Sequence, residues 1–382
     1  EVEELIHLRN MVSEEINQAK KAKNETLAVK KIKQMKEVAE NIKETENKSQ
    51  ELLHQRNETI KKIGNMLDKS VPEGKDESEN KELKKSGKIP TFNFPIKDHI
   101  ELALELDLID LETAAKNSGA RFYYLKNEAV LLSQALQRFA MDRLMKKGYT
   151  LIQTPYMLNR VALEGGVNLS EFEETLYKIE NEDLYLIATS EHPLVALKKD
   201  QVLDEKDLPL KICGVSACFR KELGAHGRDT KGIFRVHQFH KVEQIVYCTP
   251  ENSHKLFQEM QKNAEELFTE LGIPFRVVQI CTGDIGNKQA LQYDIEAWFP
   301  RENLYREVVS CSNCTGYQAT RLNIKYRKGE EKEFIHTLNS TAVATSRALR
   351  AIIENYQQKD GTIKVPTVLQ KYIGKKIIGK KK

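Results

Sequence analysis

The stretch CFRKELGAHGRDTKGIFRVHQFHKVE, residues 218–243, decides the reading of this 382-residue chain. Two strand-like apolar runs flank a loop rich in glycine and charge, the pattern of a pair of antiparallel strands. Arg220, Glu222, Arg228, Arg235 and Glu243 all fall within it. A plain hairpin laced with surface ion pairs would not call for so many guanidinium groups beside glycines, because exposed pairs contribute little. Anion recognition is the better account. Arginine forks suit phosphate oxygens, and Phe239 offers a flat apolar face to a base.

Outward from that stretch, residues 98–382 contain aromatics, short β-branched runs such as 184–187 and 275–280, and amphipathic stretches at 252–271 and 340–356 that read as helices. No alternating βαβ pattern and no glycine-rich loop between strand and helix appears, so the expected fold class is α+β on an antiparallel sheet with flanking helices. Before it, residues 71–97 hold Pro72, Gly74, Gly87, Pro90 and Pro95 among charged residues and read as a linker.

Residues 1–70 differ in kind. Up to Leu67 there is no proline, one glycine and no Phe, Tyr or Trp, which is coiled-coil composition. Ala28, Ile32, Met35, Ala39 and Ile42 step by fours and threes, as do Val2, Leu5, Arg9, Val12, Ile16 and Ala19. The phase breaks in the polar stretch 21–26, so two antiparallel helices joined near Asn24 are expected. The second would be about twice as long as the first, and the natural chain is therefore expected to begin further upstream. Lys20, Lys21, Lys23, Lys30, Lys31 and Lys33 cluster at the turn with Glu25 the only acid between positions 20 and 33. One sign of charge at the end of a rod suits a phosphate backbone and reads little sequence.

A formal net charge of +4 excludes a bulk polycation, so any nucleic-acid contact must be local. No run approaches 18 apolar residues, so no membrane span is expected. Six cysteines in the second half lack the spacing of a disulfide frame, and a reducing cytoplasm is the expected location. Cys311 and Cys314 form a C-x-x-C without a second pair, which weighs against zinc.

The 218–243 stretch resembles motif 2 of class II aminoacyl-tRNA synthetases, and its wording resembles the seryl family. Residues 148–155, GYTLIQTP, are similar to motif 1, whose proline lies at a dimer interface in that family, and residues 338–350, LNSTAVATSRALR, resemble motif 3. The segments at 172–179, 188–191, 281–284 and 307–314 also match seryl wording, so the resemblance extends from the helical arm to Tyr372. It implies a six- or seven-stranded antiparallel sheet, a homodimer, a helical arm that binds tRNA(Ser), and ATP with Mg²⁺ in the site. The family's reaction joins serine to ATP as seryl-adenylate and then transfers serine to the 3′ end of the tRNA.

Residue by residue, the resemblance implies that Arg220 and Arg347 are catalytic, Arg220 bridging the serine carboxylate and the α-phosphate and Arg347 holding the γ-phosphate. Thr189, Ser190, Glu191, Glu243, Asn339 and Thr341 match serine-binding positions, acids and hydroxyls suited to an ammonium and a small hydroxyl. Lys221, Glu222, Val236, His237, Gln238, Phe239, Glu307, Val308, Val309 and Ser310 match ATP-binding positions, with Glu307 and Ser310 as the Mg²⁺ ligands. His226, His237 and His240 need no acid-base role, because the attacking carboxylate is already ionised. The chain departs from the family where Gly316 replaces an acid and Thr320 an arginine, leaving Arg321. Two other readings remain: a paralogue that loads a carrier protein, against which the arm argues, and a catalytically silent RNA-binding relative, against which Arg220, Glu222, Glu307 and Arg347 argue.

Overall fold

The computed structural model describes residues 1–222 and 232–380. Arg228 and His226 lie outside the described residues, as do the last two lysines of the basic tail. Two compact units divide at Gly64.

In the first unit, α1 (Val2–Lys21) and α2 (Glu25–Lys61) pair through a tight turn in which Lys23 takes a positive φ and Asn24 caps α2, accepting from the Leu27 amide at 3.1 Å. The buried seam consists of Val12, Ala19, Ala28, Val38 and Ile42. It differs from the expected seam at two positions of α2: Lys31 and Val38 face α1, whereas Ile32 and Ala39 are exposed. Val38 fills more of the seam than Ala39 would. Lys31 lays its stem across the seam and places its ammonium 2.5 Å from Glu15. Of the six tip lysines, Lys31 is thus held within the arm, while the other five are exposed. Residues 46–57 of α2 are exposed throughout.

The body runs β1 (Lys81–Ser86), α3 (Asn127–Lys146), β2 (Thr150–Gln153), α4 (Glu191–Ala196), β3 (Leu210–Phe219), β4 (Gln238–Cys248), α5 (Ser253–Leu271), β5 (Phe275–Gln279), β6 (Leu291–Phe299), β7 (Leu304–Asn313), α6 (Tyr317–Leu322), β8 (His336–Ala344) and α7 (Thr345–Asn355), with shorter elements between. The eight strands form one sheet in the order β1-β5-β6-β7-β8-β4-β3-β2. Every neighbouring pair is antiparallel except the last, where β2 runs parallel to β3. The sheet is therefore wider than the six or seven strands expected, and mixed at one edge. Part of the extra width is β1, which lies inside the stretch read as a linker; its Lys-rich, exposed sequence KELKKS carries no apolar alternation to reveal a strand, but it pairs with β5 along the sheet edge. Helix was expected from residue 340, yet the chain stays in β8 up to Ala344. There β8 pairs with β4 along its length and with β7 at Cys311–Asn313, and interstrand pairing overrides a local pattern that fits either state.

Helices α3, α5 and α7 cover one face of the sheet. Leu136, Phe139, Phe257, Phe268, Leu349 and Ile352 from these helices pack on Val242, Ile295, Val309 and Leu338 from the strands. Strand alternation then assigns Phe239, Lys241 and Glu243 of β4, and Asn339 and Thr341 of β8, to the opposite face. Gly214 of β3 lies under α4, where an added Cβ would sit 2.4 Å from Leu194 Cδ1 and 2.9 Å from Ser190 Cβ. Gly214→Ala is expected to destabilise the body by about 1–3 kcal/mol through overpacking; an unchanged urea midpoint would contradict this packing.

Candidate active site

On that opposite face lies a cavity of about 420 Å³, lined by β4, β7 and β8, the start of α7, and the loops before α4 and β6. Thr189, Glu191, Arg220, Glu222, Phe239, Glu243, Glu307, Val308, Ser310, Asn339, Thr341 and Arg347 all line it.

Six of the residues matched to the site do not. Ser190 is fully buried under α4 against Gly214, and Val309 points into the core on the far face of β7. Val236, ahead of β4, is buried among Cys218, Phe239 and Ala344, and Gln238 is exposed because a strand turns it away from the face that Phe239 occupies. His237 stacks on Phe122 at 4.9 Å and lies 2.8 Å from the Tyr177 hydroxyl and 2.9 Å from the Arg220 carbonyl, so it braces the hairpin from outside the cavity. Lys221 lies over the Tyr177 ring.

Glu307 and Ser310 are three residues apart, a spacing that places two side chains on opposite faces of a regular strand. The β6–β7 register runs Ile295↔Val309 and then Glu296↔Glu307, so β7 carries one extra residue at Val308. That bulge brings both oxygen donors to the cavity. A similar shift in β8 between Thr341 and Val343 precedes α7, whose first turn presents Arg347.

The cavity is acidic at one end and basic at the other. At the acidic end Glu243 accepts from Lys241 at 2.8 Å and from Thr341 at 3.2 Å. Burial pushes its carboxyl above the ordinary value, although the adjacent Lys241 opposes the shift. Glu191 accepts from Gln318 at 2.8 Å, from Asn339 at 3.3 Å and from the Lys288 ammonium. Burial, the largest single influence, raises its carboxyl, but the charge and hydrogen bond of Lys288 together with the other positive charges nearby, Lys241 among them, hold it below the ordinary value. Asn339 also donates to Cys314 Sγ at 3.4 Å, so the second cysteine of the C-x-x-C supports this end; both of its cysteines are buried free thiols.

At the basic end Arg347 contacts the Glu307 carboxylate at 2.8 Å and its carbonyl at 3.0 Å, and rests on the Phe234 ring at 5.2 Å. Arg220 lies over Phe239 at 5.3 Å and donates to the Ala188 carbonyl at 3.3 Å. Glu222 faces Arg235 at 3.7 Å. Behind Ser310, Gln292 donates both to its hydroxyl at 3.0 Å and to Asp294 at 2.9 Å. Burial and the nearby Glu307 charge push the Asp294 carboxyl well up. Glu307 and Ser310, two oxygen donors on one side of a strand, fit a hard divalent cation such as Mg²⁺.

Lys241, Lys288 and Gln318 escape notice in the sequence. Lys241 was within reach, since it falls between Phe239 and Glu243 at the strand period. Lys288 and Gln318 come from a loop and a helix with no pattern of their own.

Residues 173–356 match the tRNA synthetase class II core domain (G, H, P, S and T). A serine–tRNA ligase from Methanocella arvoryzae is 54% identical over 375 residues, covering 97% of this chain and 88% of that protein. The chain belongs to the serine–tRNA ligase family. A crystal structure of seryl-tRNA synthetase from Pyrococcus horikoshii complexed with ATP superposes with a TM-score of 0.89 at 47% identity, covering 100% of this chain and 90% of that one. A cytoplasmic serine–tRNA ligase from Naegleria fowleri in complex with AMP gives a TM-score of 0.83 at 41% identity, covering 100% and 91%. The body therefore has the class II synthetase fold, as the motif order implied.

His192, beside Glu191, is buried with Nδ1 lacking a partner, and burial pushes its imidazole down to about 3. The unfolded chain binds this proton near 6.5, so the folded state loses stability as pH falls from about 6.5 toward 3. Relative to wild type, His192→Gln is expected to flatten that acid-side loss by about 2 kcal/mol between pH 6.5 and 4.5, read by urea unfolding at the two pH values.

Proposed function

We propose that this protein activates L-serine with ATP to seryl-adenylate and transfers serine to the 3′ end of tRNA(Ser). The observation that carries the assignment of the site is the meeting, in one cavity, of two buried carboxylates at one end with two arginines and an aromatic face at the other. Carboxylates and hydroxyls suit the serine ammonium and hydroxyl; guanidinium groups suit its carboxylate and the triphosphate.

Attack of the serine carboxylate oxygen on the α-phosphorus joins two anions, so charge stabilisation dominates the barrier. Arg220, which reaches the Ala188 carbonyl next to Thr189, bridges the serine carboxylate and the α-phosphate. Arg347 takes the γ-phosphate, releasing Glu307 as it does so. The bond from α-phosphorus to the bridging oxygen breaks and pyrophosphate departs, with no proton transfer required of the protein. Phe239 stacks on adenine and Glu222 contacts its edge. Glu307 and Ser310 would hold Mg²⁺, which when bound would supply positive charge to the phosphates. In the second step a hydroxyl of the terminal adenosine attacks the seryl carbonyl and AMP leaves.

Serine is read by Thr189, Glu191, Glu243, Asn339 and Thr341. Buried groups that hydrogen-bond a hydroxyl reject alanine by leaving partners unmet. The arm holds the tRNA through Lys20, Lys21, Lys23, Lys30 and Lys33, with Lys31 contributing less because Glu15 engages it. A homodimer is supported by the open edge of β2, with Leu151 on that strand and Tyr156 and Met157 just after it as exposed large apolar side chains. No described helix is long and apolar enough to cross a membrane, and the free buried thiols suit a reducing cytoplasm.

Serine-dependent ATP–pyrophosphate exchange, followed by charging of serine tRNA with and without its variable arm, tests the assignment. No exchange with any amino acid would remove the enzyme reading; exchange without charging would favour a carrier-loading paralogue. Glu243→Ala is expected to abolish exchange while circular dichroism remains unchanged, and near-normal exchange would refute its role. Reversing Lys20, Lys21 and Lys23 to Glu should lower tRNA charging at least tenfold, more steeply at low salt, and leave exchange intact.

A further inference from the structure

Glu191 sits in the end of the cavity assigned above to the substrate ammonium, yet an ammonium is already there. Among the described residues, its side-chain partners Lys288, Gln318 and Asn339 all donate to the same oxygen, Oε1. Two of the three are neutral amides. Lys288 alone brings charge, and it comes from a loop rather than from the sheet.

The local construction favours a side chain that can leave. Asn65 holds the loop backbone, donating from its amide to the Asn287 carbonyl at 2.7 Å and from Nδ2 to the Lys288 carbonyl at 3.0 Å. The four-carbon stem of Lys288 can therefore change rotamer without moving the loop. When it does, Gln318 and Asn339 still satisfy Glu191 Oε1, so departure leaves no orphaned acceptor. Gln318 is itself fixed, its Oε1 accepting from Thr337 at 2.7 Å and its Nε2 donating to the Gly166 carbonyl at 3.2 Å. Lys241 is a different case: it stands within β4, is almost fully buried, and pairs with Glu243 two residues along the same strand.

We propose that the Lys288 ammonium is a resident stand-in for the substrate ammonium, seated on Glu191 in the empty pocket and displaced when serine enters, so that Lys288 sets the serine KM. The inference rests on the serine-activating reading of the site. Two ammonium groups on one buried carboxylate repel each other, so serine binds the fraction of molecules in which Lys288 has swung away. The apparent affinity is reduced by that fraction. The resident cation also keeps Glu191 compensated while the pocket is empty, which protects the fold against an unpaired buried charge.

The test uses Lys288→Met, which keeps length and removes charge, and Lys288→Gln, which keeps a donor for Glu191 and serves as the second variant if the first fails to fold. Both are expected to lower the serine KM in pyrophosphate exchange about tenfold with kcat within about twofold, and to enlarge the rise in Tm produced by a fixed serine concentration. Lys288→Arg should keep the high KM. A serine KM that rises or stays unchanged in the neutral variants, with wild-type exchange normal, overturns the proposal and makes Lys288 a substrate contact or a purely structural cation. Absence of serine-dependent exchange in the wild type overturns instead the functional reading on which the proposal stands.

Discussion

A buried carboxylate must be met by donors from whatever segments surround it, and the Glu191 side chain organises the site in that way. It projects from the start of α4 and draws in Lys288 from the loop before β6, Gln318 from α6 and Asn339 from β8. Segments more than 90 residues apart in the chain are thereby committed to one oxygen. Each donor has its own anchor: Asn65 for the Lys288 loop, Thr337 and Gly166 for Gln318, Cys314 for Asn339. Removing the charge requirement at Glu191 would leave the donors that converge on it without a reason to meet.

The rest of the cavity follows from the two-residue period of strands and the places where it breaks. Helices α3, α5 and α7 occupy one face of the sheet and supply its apolar cover, which leaves the other face of β4, β7 and β8 free to carry polar groups. Within β4 the period alone aligns Phe239, Lys241 and Glu243. In β7 it would separate Glu307 from Ser310, and the bulge at Val308 reunites them. A single extra residue thus creates a pair of hard oxygen donors next to Arg347. The separation of acidic and basic ends then allows one pocket to hold a zwitterion and a polyanion in a fixed order.

Much of this was legible in the residues. The glycine- and arginine-rich stretch 218–243 announced an antiparallel pair and an anion site, and the heptad rhythm of residues 1–67 announced paired helices turning near Asn24. Other parts had no local signal. Strand β1 is too polar to show an alternation, and its pairing with β5 is decided by the sheet edge. At two positions of the α2 seam, 31 and 38 take the places expected of 32 and 39, because Val38 packs better than Ala39 and because Lys31 can bury its stem while Glu15 takes its charge. Gln238, next to Phe239, is turned to the other side by the strand period, whereas His237, just ahead of β4, is held outside the cavity by Phe122, Tyr177 and the Arg220 carbonyl.

By itself, the sequence determined the α+β class and the helical arm, because composition and periodicity are properties of neighbouring residues, and the order of its motifs carried the resemblance that named the site residues. Only the tertiary structure decided which faces those residues share, where bulges re-aim them, and that Lys288 sits on Glu191. Those outcomes depend on pairing and charge compensation between segments far apart in the chain, and no local pattern carries that information.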